Sequence, residues 1–128
     1  MSKNSTNFWN KTAEIFGHTG YQNQLIYNYD QPIRLKTVKK IIEKYFKNFN
    51  FSHKALDIGC GSGDFIELLS KYGFNEITGI DLSEVMVEKV RNRFKDNSKV
   101  RIELCDLNDL IKKDNTYDLI LCITVFQH

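Results

Sequence analysis

No stretch of the 128 residues approaches the roughly 20 consecutive apolar positions that a membrane-crossing helix requires. The opening segment, Met1 to Asn10, is polar apart from Phe8-Trp9, so it lacks the apolar core of a secretory signal and a cytoplasmic location is the expectation. An excess of one charge is also missing. Eighteen basic residues against sixteen acidic ones, interspersed, leave +2, which argues against a nucleic-acid surface. The basic cluster Lys36, Lys39, Lys40, Lys44 and Lys47 has the spacing of the solvated face of an amphipathic helix. Cysteine is scarce and odd in number. Cys60, Cys105 and Cys122 do not have zinc-site spacing, and each falls in or beside a predicted strand, so reduced structural thiols are expected. No internal repeat or low-complexity run is present. What remains is an ordinary globular composition, sized for one domain.

Residues 1–30 are rich in aromatic and amide side chains. Phe8, Trp9, Thr12, Ile15 and Phe16 fit a short helix, broken by Gly17-His18-Thr19-Gly20. Such an apolar segment is expected to pack on the rest of the chain. Pro32 stands where a first helical position is expected. Ile33, Val38, Ile41, Ile42, Tyr45, Phe46 and Phe49 then follow at helical spacing, ending near Asn48.

Beyond residue 50 the pattern alternates. A strand at 55–58 closes on a glycine-rich turn. A helix through Phe65, Leu68, Leu69 and Tyr72 is stopped by Gly73 as its cap. A second strand covers 77–81, and Ser83 with Glu84 opens the next helix. Val100 to Cys105 reads as a third strand. Tyr117 to Val125 is a continuous apolar run, as in a strand buried on both faces. This succession predicts an α/β fold: a Rossmann-like parallel sheet with N-terminal helices. Residues 1–50 form a helical cap segment and 51–128 the ligand-binding α/β domain. Ligands of such sheets bind outside the C-terminal strand ends, here residues 57–64, 81–83, 105–107 and 122–128.

Asp57-Ile58-Gly59-Cys60-Gly61-Ser62-Gly63-Asp64 is the first such end. Three glycines in five residues let the backbone turn tightly and approach a ligand. A dinucleotide fingerprint, Gly-x-Gly-x-x-Gly from Gly59, would need glycine where Asp64 stands. An aspartate at a helix start repels a pyrophosphate, and Asp57 adds charge before the turn. S-adenosylmethionine (SAM) has no phosphate and carries a sulfonium and an ammonium, so nearby carboxylates favour it over NAD. Asp81 ends the second strand 22 positions after Gly59, where an acid accepts from ribose hydroxyls, and Leu82 offers an apolar surface to adenine. Cys105-Asp106-Leu107 places another carboxylate and an apolar neighbour at the third strand end.

These stretches resemble the motifs of class I SAM-dependent methyltransferases. Leu56 to Gly63 is similar to their glycine motif, Gly79 to Ser83 to their acidic second motif, Cys105 to Leu107 to the third and Tyr117 to His128 to the fourth. The last resembles small-molecule enzymes, including the ubiquinone-biosynthesis O-methyltransferases. The resemblance runs from about residue 30 onward and implies roles. Gly59, Cys60, Gly61 and Gly63 would cradle the methionine and ribose portions. Asp57 would orient the turn or receive the ammonium through water. Asp81 would bind ribose, and Asp106 the adenine amine beside Leu107. The Cys122 carbonyl would accept from the ammonium. Gln31-Pro32-Ile33-Arg34-Leu35 resembles an Asn-Pro-Leu-Arg-Leu segment, by which Arg34 would pair with the SAM carboxylate or else is an ordinary surface arginine.

The implied reaction is in-line methyl transfer to a small-molecule acceptor, with no metal, nucleic acid or membrane involved. The protein's main task there is to align donor and acceptor. His128, just past the fourth strand, and His18 are the candidate bases. For His128 a packing or solvent-facing role is the more ordinary reading, and His18 is a candidate only if the N-terminal segment folds over the cofactor. The resemblance also implies a seven-stranded sheet, of which strands 1–4, in the order 3-2-1-4, are present and strands 5–7 are absent here, so that strand four, normally central, is expected as an exposed apolar edge. The expectation is therefore a truncated enzyme with weak SAM binding and little activity alone. The competing readings are a non-catalytic SAM-binding module and an NAD-dependent oxidoreductase.

Overall fold

The computed structural model describes residues 3–16, 24–46, 53–111 and 116–123. Two helices come first, α1 (Lys3–Phe16) and α2 (Gln24–Tyr45). Then β1 (Lys54–Ile58), α3 (Asp64–Ser70), β2 (Glu76–Asp81), α4 (Glu84–Arg93), β3 (Val100–Leu104), α5 (Leu107–Ile111) and β4 (Leu119–Cys122) follow. The four strands form one parallel sheet in the order β3-β2-β1-β4. Register aligns Asp57 with Gly79 and Ile58 with both Ile80 and Cys122, so the C-terminal tips lie side by side. Among the described residues, no helix is long and apolar enough to cross a membrane.

One face of the sheet carries most of the core. Ala55, Ile77 and Ile102 pack with Val38 and Ile42 of α2, Phe65, Ile66 and Leu69 of α3, and Val87 and Val90 of α4. Gly79 permits this closeness, because a Cβ there would stand 2.5 Å from Ile66 Cδ1. The other face holds a smaller cluster of Leu56, Ile80 and Leu110, bordered by Ile58, Cys105, Leu107 and Tyr117.

Two expectations, the helix start at Pro32 and the cap at Gly73, differ from the structure. Pro32 does not begin a helix. It lies inside α2, which starts eight residues earlier at Gln24. An interior proline removes one helical hydrogen bond, a cost of about 3 kcal/mol. Anchoring of the first turns through Tyr27 and Gln31, described below, works against that cost. The fourth strand is the open edge expected without strands 5–7: among the described residues β4 pairs with β1 alone, Ile120 is 55% exposed and its neighbours are half-buried. Finally, α3 closes at Ser70 through hydrogen bonds from Lys71 and Tyr72 to Leu68 and Leu69, and Gly73 (φ 78°) turns the chain after the cap.

The N-terminal segment packs as expected. Asn10 of α1 accepts the Ser83 hydroxyl at 2.8 Å, while Ser83 Oγ caps α4 by accepting from Met86 N–H at 3.2 Å. All three cysteines are free thiols.

Candidate functional site

The site is built on the turn between β1 and α3, where the strand must reverse into a helix within five residues. Gly59, Gly61 and Gly63 all take left-handed φ, at 70°, 51° and 86°. At Gly63 the requirement is double, since a Cβ would also stand 2.7 Å from Phe94 Cε2. Gly59 and Cys60 donate their N–H groups to Ile80 O at 2.8 and 2.9 Å, tying the turn to the tip of β2.

Asp81 completes that tie. Its Oδ2 accepts Gly61 N–H at 3.0 Å and its Oδ1 accepts Ser83 N–H at 2.9 Å. A carboxylate accepts about four hydrogen bonds, so acceptor capacity remains for a hydroxyl donor of a ligand. Burial raises its pKa, against the lowering effect of the N–H groups of Ser83, Gly61 and Leu82.

Asp57 is more extreme. It is 2% exposed, and its Oδ2 makes no hydrogen bond among the described residues. Burial, then the charges of Asp81 and Asp64, push its pKa up to about 8. An unpaired buried carboxylate is costly, and it takes up a proton unless a cation arrives. The thiols of Cys60 and Cys122 are raised too, by burial and then by Asp57. This pocket of carboxylates therefore favours positive charge.

Asp64 plays a different part from the one its sequence position suggests. Arg93 Nη1 donates to its Oδ1 at 3.1 Å, Gln31 Nε2 donates to its Oδ2 at 3.2 Å, and the Tyr27 hydroxyl donates to the same oxygen. Burial raises its pKa, but the hydrogen bonds from Tyr27, Arg93 and Gln31 outweigh that and hold it below the usual value. Its charge is already met by Arg93, so it contributes little to rejecting a phosphate. That work falls to Asp57 and Asp81.

The other candidates take several positions. Leu82 lies half-buried between Asp81 and Ser83. Asp106, beyond β3, begins α5: its Oδ1 accepts Asn108 N–H at 2.5 Å, which lowers its pKa. Leu107 and Cys105 border the smaller core cluster. Cys122 ends β4 beside Ile58. Arg34 pairs with Asp30 at 2.6 Å on α2, one turn beyond Gln31. His18 and His128 lie outside the described residues. Sequence reasoning missed Arg93 and Asn10, which join the site from α4 and α1 and carry no local motif, while Tyr27 and Gln31 of α2 join it through Asp64.

Comparison with known proteins agrees with this geometry. The profile of the methyltransferase domain family matches residues 55–128, which contain the turn and all four strand tips. The chain belongs to the class I SAM-dependent methyltransferase family. It is 31% identical to a ubiquinone biosynthesis O-methyltransferase of Rickettsia akari across 100% of this chain and 47% of that protein. The Rickettsia felis counterpart is 34% identical, over 100% and 48%. The chain thus spans about half the length of the curated relatives it matches. A crystal structure from Methanococcus maripaludis, assigned to the SAM-dependent methyltransferases, superposes with TM-score 0.65 at 25% identity, covering 94% of this chain and 52% of that one.

Proposed function

We propose that this methyltransferase chain binds SAM at the glycine turn and serves transfer of its methyl group to a hydroxyl of a small-molecule acceptor. The observation that carries the reading is Asp57: a buried carboxylate oxygen with no hydrogen bond, beside Asp81, with no cationic side chain acting on either among the described residues. A cationic amino-acid end suits that niche, and a pyrophosphate does not. In this reading Gly59, Cys60, Gly61 and Gly63 shape the floor under the methionine portion. Asp57 takes the ammonium, directly or through water, with the Cys122 carbonyl as a second acceptor. Asp81 uses its remaining acceptor capacity on the ribose, next to Leu82. Asp106 and Leu107 flank the adenine, and Arg34 meets the carboxylate by exchanging its Asp30 partner.

Residues 1–50 act as a cap segment and 51–128 as the SAM-binding domain. When bound, SAM supplies a methyl group on a sulfonium that leaves as a neutral thioether. The protein's part is to hold the two reactants in line and exclude water. For oxygen acceptors the hydroxyl proton must go to a base, for which His18 and His128 are the candidates. Oxygen as the acceptor atom follows the printed function of the Rickettsia relatives.

Crystallisation with S-adenosylhomocysteine tests the placement. The adenosine is expected at the tips of β2 and β3, with the adenine amine facing Asp106 and the ammonium of the amino-acid portion facing Asp57. A ligand bound away from the turn contradicts the reading. Acceptor-dependent transfer of labelled methyl from SAM by the whole protein then separates an enzyme from a binding module.

A further inference from the structure

We propose that Arg93 is a positioning residue that locks the Ser62–Gly63 peptide of the glycine turn in its binding-competent orientation, an inference that rests on the turn being the SAM cradle. The turn is held unevenly. On its inner side Asp81 and Ile80 fix the amides of Gly59, Cys60 and Gly61. The outer half has no such strand tip beside it, and α3 begins there without any side-chain cap.

The outer half is held by side chains from α2 and α4: the Tyr27 hydroxyl lies 3.3 Å from Ser62 Oγ, Tyr27 and Gln31 donate to Asp64, and the Ser62 carbonyl is taken by Arg93. Arg93 Nη1 donates to Ser62 O at 2.7 Å and to Asp64 Oδ1 at 3.1 Å, while Nη2 donates to Glu67. On the other side of the same peptide plane, Gly63 N–H donates to Cys60 O at 2.9 Å. The plane is therefore clamped at both ends, by Arg93 at the carbonyl and by Cys60 at the amide.

The clamp matters because of the neighbouring residues. Flipping a peptide plane changes ψ of the preceding residue and φ of the following one together. Gly63 follows, and glycine tolerates either sign of φ. Intrinsic backbone preference thus does little to hold the plane, and Arg93 supplies the restraint. A flip would break the Cys60–Gly63 bond and displace the start of α3, disturbing a surface that a ligand must meet closely. The planar guanidinium holds its donors in a fixed fork that meets all three acceptors from two nitrogens. A lysine ammonium is a point charge on a flexible stem.

The test compares Arg93→Met, Arg93→Lys and Glu67→Gln, by calorimetry with S-adenosylhomocysteine and by amide NMR of residues 59–64. Glu67→Gln weakens the same cluster without touching Ser62, so it controls for general loosening. Arg93→Met is expected to weaken binding by about tenfold or more, Arg93→Lys by about threefold, and Glu67→Gln by less than about twofold. Arg93→Met binding within about twofold of wild type overturns the proposal. Should Arg93→Met fail to fold, Arg93→Lys decides: an affinity equal to that of Glu67→Gln overturns it. If the unmutated chain binds no SAM-derived ligand, the cradle reading fails instead. The lock is then judged by NMR alone. A second set of Gly61–Asp64 amide signals in the Arg93 variants supports it, and one unchanged set overturns it.

Discussion

Asp57 and Asp64 flank the same glycine turn, seven residues apart, and the protein uses them in opposite ways. Asp64, on the outer rim, spends its charge on Arg93, Tyr27 and Gln31 and so anchors α2 and α4 to the turn. Asp57, on the inner rim with Asp81, is buried and leaves an oxygen unbonded. A carboxylate satisfied within the fold stabilises it, whereas one left unsatisfied destabilises it and is held in store for a ligand. In the proposed reading the inner rim binds and the outer rim holds.

The largest effect is expected on the inner rim. Asp81→Ala strips the acceptors from Gly61 and Ser83 and removes the ribose partner, so SAM affinity should fall by about 100-fold or more in calorimetry. Gly63→Ala strikes the outer rim. A left-handed φ and the clash with Phe94 should cost about 2–3 kcal/mol of stability in denaturant unfolding. An unchanged midpoint would show that the outer rim yields freely.

Substitution of Asp57 should separate stability from binding. Its folded pKa, about 8, lies above the ordinary 3.8, so its contribution to stability is full below pH 4, falls as pH rises and is gone above about 8. Asp57→Asn should therefore flatten that loss and raise stability at pH 8, while weakening SAM about tenfold. In the unmutated chain SAM should bind more tightly as pH climbs toward 8, because the cation must displace the Asp57 proton. Asp64 has the reverse sign. Its depressed pKa gives stability that is present above the ordinary carboxylate range and lost as pH falls through its folded value. Asp64→Asn should cost about 1 kcal/mol, since a partly exposed pair is screened, and should remove that acid-side loss. SAM affinity should change least here. A larger binding loss for Asp64→Asn than for Asp57→Asn would reverse the comparison.

Much of this was legible in the sequence. Three glycines after an apolar run, Asp81 at the next strand end and Ser83 before a helical pattern placed β1, β2, α3 and α4, because each signal is local. Other features were written across long separations. Arg93 reaches Ser62 over 31 positions, Tyr27 reaches Asp64 over 37 and Ser83 reaches Asn10 over 73. No periodicity reports such contacts, so Asp64 read as a free charge when it is a paired one. Pro32 misled because its usual place is a helix start, whereas here the preceding turns are held by tertiary contacts. The five residues of α5 are too few to show a period. In β4 Ile120 is exposed although the run is apolar, because strand position in the sheet, not composition, sets burial.

The central claim is that the carboxylate niche prefers a cationic adenosyl ligand to a phosphate-bearing one. Parallel calorimetric titrations of this chain with SAM and with NAD at pH 8 test it most directly. The account predicts measurable SAM binding, stronger than any NAD binding and weakened by Asp57→Asn. NAD binding as tight as SAM binding, or tighter, would contradict it.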